Sequence, residues 1–209
     1  MLSALAERFF QLFAGLTRAY GTYNINPVQD PGTVKAKGKA RTVSGTLSPE
    51  TWKLHLDGVQ GLGIVAIRDD STCSWGALDI DKYDLDLPQL EKQIISLGLP
   101  LILCRTKSGG AHLYLFTQTP VPATLLRIKL RLCAEALGFF DTEVFPKQDH
   151  LVAKTDVGNW INMPYFQQEF TMRYAIRNGV SLSATEFLDW AAANKVSAAA
   201  LDALDPHPL

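Results

Sequence analysis

The sequence is poor in residues that staple or anchor a chain. Only three cysteines occur among its 209 residues, Cys73, Cys104 and Cys133. They are odd in number, far apart and set in apolar surroundings, which excludes a disulfide framework and predicts reduced core thiols of a cytoplasmic protein. None has a partner at the close spacing of a structural zinc site. Excess charge of either sign is missing too, since 20 Lys plus Arg stand against 21 Asp plus Glu for a formal net charge of −1. With 47% hydrophobic residues, that balance excludes intrinsic disorder as the main state. It leaves nucleic-acid binding open, because a local basic surface and not the net charge grips phosphate. No membrane or export segment is read either: the apolar start MLSALAERFFQLFAGLTRAYG is interrupted by Glu7 and Arg8 and has no basic leader. The Gly-x-x-x-x-Gly-Lys-Ser/Thr phosphate loop, internal repeats and low-complexity tracts are absent as well.

What is present reads as one compact α+β chain, with strands and helices intermixed and several hairpin-like connections. Ser3 is placed to cap a helix in which Leu5, Phe9, Leu12, Phe13 and Leu16 recur at spacings of three and four, with Gly21 as its stop. A polar stretch to about residue 45 carries Lys35, Lys37, Lys39 and Arg41, four positive charges that share one side if the segment is extended. Ser48-Pro49 opens a short helix. Strands are expected over 63–67, 75–81, 101–105, 111–116 and 142–145 and near 159–163, with a hairpin turn at Asp69–Thr72. Helices are expected over about 87–97, 122–137, 183–194 and 197–204, with Ser183 and Glu186 as a capping box. An amino-terminal lobe over about 1–60, a core over 61–170 and carboxy-terminal helices over 171–209 describe the organisation.

Three segments carry chemistry. In Gly76-Ala77-Leu78-Asp79-Ile80-Asp81 the two aspartates share a strand face about 6.7 Å apart, while Leu78 and Ile80 face the core. Two carboxylates projecting together repel, and a divalent cation with oxygen ligands such as Mg2+ relieves that repulsion. An ordinary solvated strand end is the plainer reading of any Asp-X-Asp, and Asp84 and Asp86 nearby favour it. The second segment, Arg105-Thr106-Lys107-Ser108-Gly109-Gly110-Ala111-His112, joins two apolar strands. Gly109 and Gly110 permit positive φ and close approach of a ligand, amides of such a turn cradle phosphate, and Arg105 and Lys107 add charge. Alone, the same residues are a hairpin turn followed by a strand histidine that shares a face with Tyr114 and Phe116. The third segment, Thr142-Glu143-Val144-Phe145-Pro146-Lys147-Gln148-Asp149, offers Glu143 to complete a carboxylate cluster, with Asp141 as the alternative of equal parity. Lys147 is a candidate phosphate or template contact. Further on, Gly158-Asn159-Trp160-Ile161-Asn162-Met163-Pro164 mixes amides with an aromatic that is either a base-stacking platform or core.

In this order the four segments resemble the archaeo-eukaryotic primase superfamily, nearest to the primase-polymerases of bacterial viruses, plasmids and related defence or conflict systems. The resemblance runs from about Arg18 to Tyr165, and Tyr20-Gly21-Thr22-Tyr23 and the basic stretch add to it. It implies a catalytic core with an RRM-like sheet, flanking helices and a small amino-terminal α/β lobe. It also implies template-directed transfer of nucleotides from NTPs or dNTPs with Mg2+ or Mn2+, on single-stranded DNA, in a bacterial cell. By position, Asp79 and Asp81 match the first metal-binding motif, and Ser108 and His112 match the triphosphate motif. Glu143 stands where many relatives have aspartate, which keeps Asp141 as alternate. Arg105, Lys107, Gly109, Gly110, Lys147 and Asn159 are the further nucleotide-binding candidates. Lys35, Lys37, Lys39, Arg41 and Trp160 are those for DNA. Family primases often carry a zinc module, a helical priming domain or a helicase. None is visible here, so a priming domain or helicase in the same longer chain or in trans is an expected partner. A nucleotide- or DNA-binding module without activity and a metal-dependent nuclease are the rival functions.

Overall fold

The computed structural model of the chain describes residues 3–23, 40–153 and 155–206. Lys35, Lys37 and Lys39 lie outside these residues. Helix α1 (Ala4–Leu12) starts after Ser3 and buries Ala6, Phe9 and Leu12. It ends nine residues before the predicted glycine stop, because the Leu16 amide bonds to the Val65 carbonyl at 2.9 Å and the chain turns into a sheet. Gly15 permits that crossing, since a Cβ there would lie 2.2 Å from the Val65 oxygen. Gly21 sits inside strand β1 (Ala19–Tyr23), which pairs antiparallel with β2 (Ala40–Ser44). Helix α2 (Pro49–Leu56) has Pro49 in its first turn, as expected.

Strand β3 (Gly61–Val65) joins β1, and the later β8 (Trp160–Asn162) closes a first sheet in the order β2-β1-β3-β8. A second sheet is built from β4 (Thr72–Ile80), β5 (Ile102–Arg105), β6 (Ala111–Pro122) and β7 (Glu143–Phe145), in the order β5-β6-β4-β7 with every neighbour antiparallel. Helix α3 (Leu87–Ser96) links β4 to β5, and α4 (Ala123–Ala136) links β6 to β7. The succession βαββαβ with the first and third strands central is the split βαβ arrangement that underlies an RRM-like sheet. The turn at Asp69–Thr72 forms, with Arg68 N–H donating to the Thr72 carbonyl at 3.0 Å. It is not a hairpin turn, however: β3 and β4 leave it for different sheets. Strand β6 also runs six residues past the expected Phe116, because its far end stays paired to the start of β4.

The second sheet buries both faces, and its side chains alternate between two cores. Leu78, Ile80, Leu103, Leu113 and Leu115 pack with Leu90 and Ile94 of α3 and Leu126 and Leu130 of α4. Trp75, Ala77, Ile102, Tyr114 and Phe116 face the other way, onto Phe9, Phe13, Trp52, Ile64 and Phe187. Phe187 comes from α5 (Ala184–Ala193), capped by the expected Ser183–Glu186 box, and is preceded by the short hairpin β9 (Ile176–Arg177) and β10 (Val180–Ser181). A last helix, α6 (Ala198–Asp202), buries Leu201. The three cysteines are free and buried, and burial pushes the Cys73 and Cys133 thiols up to about 12. Among the described residues no helix is long and apolar enough to cross a membrane.

Candidate active site

The register of the second sheet sets four polar side chains in one row. Asp79 on β4 stands opposite His112 on β6 and, on its other side, opposite Glu143 on β7; His112 in turn stands opposite Cys104 on β5. All four lie on the face of Tyr114 and Phe116, at the end of the sheet where that core stops. His112 Nε2 is 3.3 Å from Asp79 Oδ1, and its Nδ1 is 3.0 Å from the Tyr114 hydroxyl. The phenol also donates to the Asn162 carbonyl at 3.4 Å, which ties the row to β8 of the first sheet. Tyr114 is wholly buried, and burial raises its pKa well above the usual value, so the phenol keeps its proton. The Asp79 backbone is fixed as well, its carbonyl accepting from Thr142 Oγ1 at 2.7 Å.

Asp79 and the exposed Asp81 border a cavity. His112, Ser108, Lys107 and Arg105 line it from β6 and the glycine turn, and Asn162, Pro164 and Arg173 line it from β8 and the segments that follow. The turn is tight, with Thr106 N–H on the Gly110 carbonyl at 2.9 Å and Thr106 Oγ1 3.2 Å from Ser108 Oγ. Its two glycines do different things. Gly109 has φ +91°, the positive-φ requirement expected. Gly110 is small for the protein's own backbone: a Cβ there would lie 2.3 Å from the Ile80 carbonyl. The close approach assigned to a ligand is made by β4, and it is what carries Lys107 and Ser108 beside the two aspartates.

Several candidates stand elsewhere. Glu143 Oε1 accepts from Lys147 Nζ at 2.6 Å, and that ammonium also lies 5.1 Å above the Phe145 ring. Glu143 and Asp141 line a second cleft, which Asp79 and Asp81 also border, beside Lys82 and Phe140. Among the described residues no group of three His, Cys, Asp or Glu side chains forms a metal site. The expected three carboxylates thus border one cleft without closing on a metal site, and Glu143, opposite Asp79 in the register, is paired with Lys147. Asn159 accepts from Gln148 Nε2 at 2.5 Å, and neither it nor Lys147 lines the cavity. Arg41 is exposed on β2. The Trp160 ring covers Gly21 and Gly63, where added Cβ atoms would lie 2.1 and 2.2 Å from it, and its Nε1 donates to Thr42 at 3.1 Å.

Sequence reasoning missed Arg173. Its guanidinium hydrogen-bonds the Tyr23 hydroxyl and lies 5.1 Å above the Tyr23 ring, pinned in place as it lines the cavity. Arg105 is held too, donating to the Met172 and Thr106 carbonyls at 2.9 and 3.2 Å. Nothing in Thr171-Met172-Arg173-Tyr174 sets this arginine apart. Only the fold returns it to β1.

The family model described as "TOTE conflict system, Archaeo-Eukaryotic Primase domain" matches residues 10–185. No curated protein matches the chain. Among solved structures, the AEP domain of the cyanophage S-2L primase-polymerase is 14% identical, with a TM-score of 0.48 over 88% of this chain and 95% of that one. The catalytic domain of primase RepB′ in complex with initiator DNA is 11% identical, with a TM-score of 0.40 over 90% of this chain and 92% of that one.

Proposed function

The chain belongs to the TOTE conflict system archaeo-eukaryotic primase domain family, and from that membership we propose that it is a template-directed nucleotidyltransferase. It would move nucleotides from NTPs or dNTPs to a 3′-hydroxyl, with pyrophosphate leaving. The observation that carries the reading is the cavity itself, in which Asp79 and Asp81 share one space with Lys107, Ser108, His112 and Arg173. Carboxylates and cations lining one cavity suit a polyanion accompanied by a metal.

The two aspartates fit a hard divalent cation in donor chemistry, both being oxygen ligands at one rim, and Mg2+ or Mn2+ is the class they would hold. Such an ion supplies positive charge that makes a hydroxyl more acidic and shields phosphate oxygens. The chain's own groups do the rest. Arg173 and Lys107 offset phosphate charge, Arg173 with a guanidinium already fixed on Tyr23. Ser108 donates a hydrogen bond, and His112 presents a ring held at both nitrogens. Single-stranded template is gripped through its phosphates, so binding weakens as salt rises. A second reading, nucleotide binding without transfer, has one observation in its favour: Glu143 is taken by Lys147.

The test is incorporation of labelled NTPs and dNTPs on single-stranded DNA, with and without an annealed primer, in Mg2+ and in Mn2+. Asp79→Ala runs alongside. Product that disappears in the variant supports transfer, and product without primer supports priming. Full turnover by Asp79→Ala sinks the assignment. Nucleotide binding without any product favours the second reading, and DNA degraded without added nucleotide favours a nuclease.

A further inference from the structure

Tyr114 has no place in the chemistry above, yet among the described residues it is the side chain that hydrogen-bonds His112 Nδ1. Its ring stands nearly perpendicular to the imidazole, 86° between planes with centroids 5.8 Å apart. The hydroxyl has two neighbours, His112 Nδ1 at 3.0 Å and the Asn162 carbonyl at 3.4 Å. A carbonyl only accepts, whereas a phenol both donates and accepts. When the imidazole is neutral, the phenol donates to Nδ1, and Nε2–H points at Asp79. When the imidazole is charged, Nδ1–H donates to the phenol oxygen, and the phenol proton turns to Asn162. In both cases the ring is held at both nitrogens and in one orientation. A phenylalanine of the same size would fill the core equally and hold neither.

We propose that Tyr114 is a positioning residue that fixes the ring of His112 and aims its Nε2 into the cavity beside Asp79. The bond crosses from the second sheet toward β8, because the same hydroxyl reaches Asn162, which lines the cavity together with Asp79. Tyr114 thereby fastens the histidine and β8 to one buried atom. The consequence for nucleotide rests on the nucleotidyl-transfer reading; the positioning itself does not.

The experiment has two arms. In the first, 15N-imidazole spectra are taken at pH 8 of the full chain, with His112→Ala assigning the signal among His55, His112, His150 and His207. The wild-type His112 Nδ1 is expected at the position of a hydrogen-bonded nitrogen, and in Tyr114→Phe it moves to that of an unbonded imine. A wild-type Nδ1 already at the unbonded position overturns the proposal, and that spectrum decides alone if the variant fails to fold. In the second arm, Mg·ATP and Mg·dATP are titrated in a double-mutant cycle. Tyr114→Phe should weaken binding about fivefold, the worth of one net hydrogen bond, and have no effect when His112 is already alanine. Equal weakening in both backgrounds overturns positioning through His112, since a purely structural phenol would act without the histidine. If the wild type binds neither nucleotide, the transfer reading fails and the nitrogen spectrum still decides the role of Tyr114.

Discussion

Gly21 and Gly63 face each other across two strands and share one cover, the indole of Trp160. Added Cβ atoms would meet that ring at 2.1 and 2.2 Å, far inside any tolerable contact. Gly21→Ala should therefore cost about 1–3 kcal/mol of stability by overpacking. In a Trp160→Ala background the same methyl enters vacated space, and most of that penalty should vanish. Urea unfolding of the four proteins checks this, and additive effects would show that ring and glycine are uncoupled. The pairing also bears on what Trp160 can do. A ring lying over two glycines, with its N–H on Thr42, offers one remaining face, so any base it stacks must approach from outside the sheet.

At the scale of elements, the glycine turn is where the sequence told most and also misled. The segment between β5 and β6 is read correctly as a tight turn from Ser108-Gly109-Gly110, because positive φ is a local requirement. That Gly110 is small for the sake of the Ile80 carbonyl is a fact about two strands 30 residues apart in sequence, and no local pattern holds it. The two substitutions should differ accordingly. Gly109→Ala strains a φ of +91° but meets nothing within 4 Å, whereas Gly110→Ala pushes the turn off β4. Both should lower the melting temperature. Gly110→Ala alone should also weaken nucleotide binding, read by titration, since Lys107 and Ser108 move with it. Alternation made β4 legible, as Leu78 and Ile80 face one core and Asp79 does not. The helices were legible from their caps and apolar spacing, and substituting Ser183 by Ala should cost about 1 kcal/mol for the lost cap. The end of α1, the parting of β3 and β4 and the pairing of Glu143 with Lys147 were not legible. The first two depend on which strand becomes whose neighbour, and the third on the path the chain takes as it leaves β7.

At the scale of the whole molecule, the two sheets share one aromatic core, and His55 ties its parts together. Its Nδ1 accepts from the Leu62 amide at 3.0 Å, so Nε2 carries the proton and donates to the Pro164 carbonyl at 2.9 Å. One neutral ring thus joins α2, β3 and the segment that lines the cavity. Burial holds its pKa down to about 3, against a raising effect of the Pro164 carbonyl and with a further lowering by the charge of Arg173. Unfolded, the same histidine titrates near 6.5. Below that pH the unfolded chain takes a proton that the folded chain refuses, so stability is complete above 6.5 and falls as pH drops toward about 3. Between pH 7.5 and 5 the loss from this one group is about 2 kcal/mol. The carboxylates held low by hydrogen bonds, Asp70 by Thr72 and Glu186 by Ser183, also lose stabilisation on acidification, but only once the pH falls into the ordinary carboxylate range and below it. The upper window therefore isolates the histidine. Urea midpoints measured at half-unit steps from pH 7.5 to 5 should fall steadily in the wild type. His55→Gln, which cannot take up a proton, should start lower because Leu62 N–H and the Pro164 carbonyl lose a well-placed partner, and should then stay nearly flat. A wild-type slope that survives in the variant would show that the acid sensitivity of the shared core lies in another group.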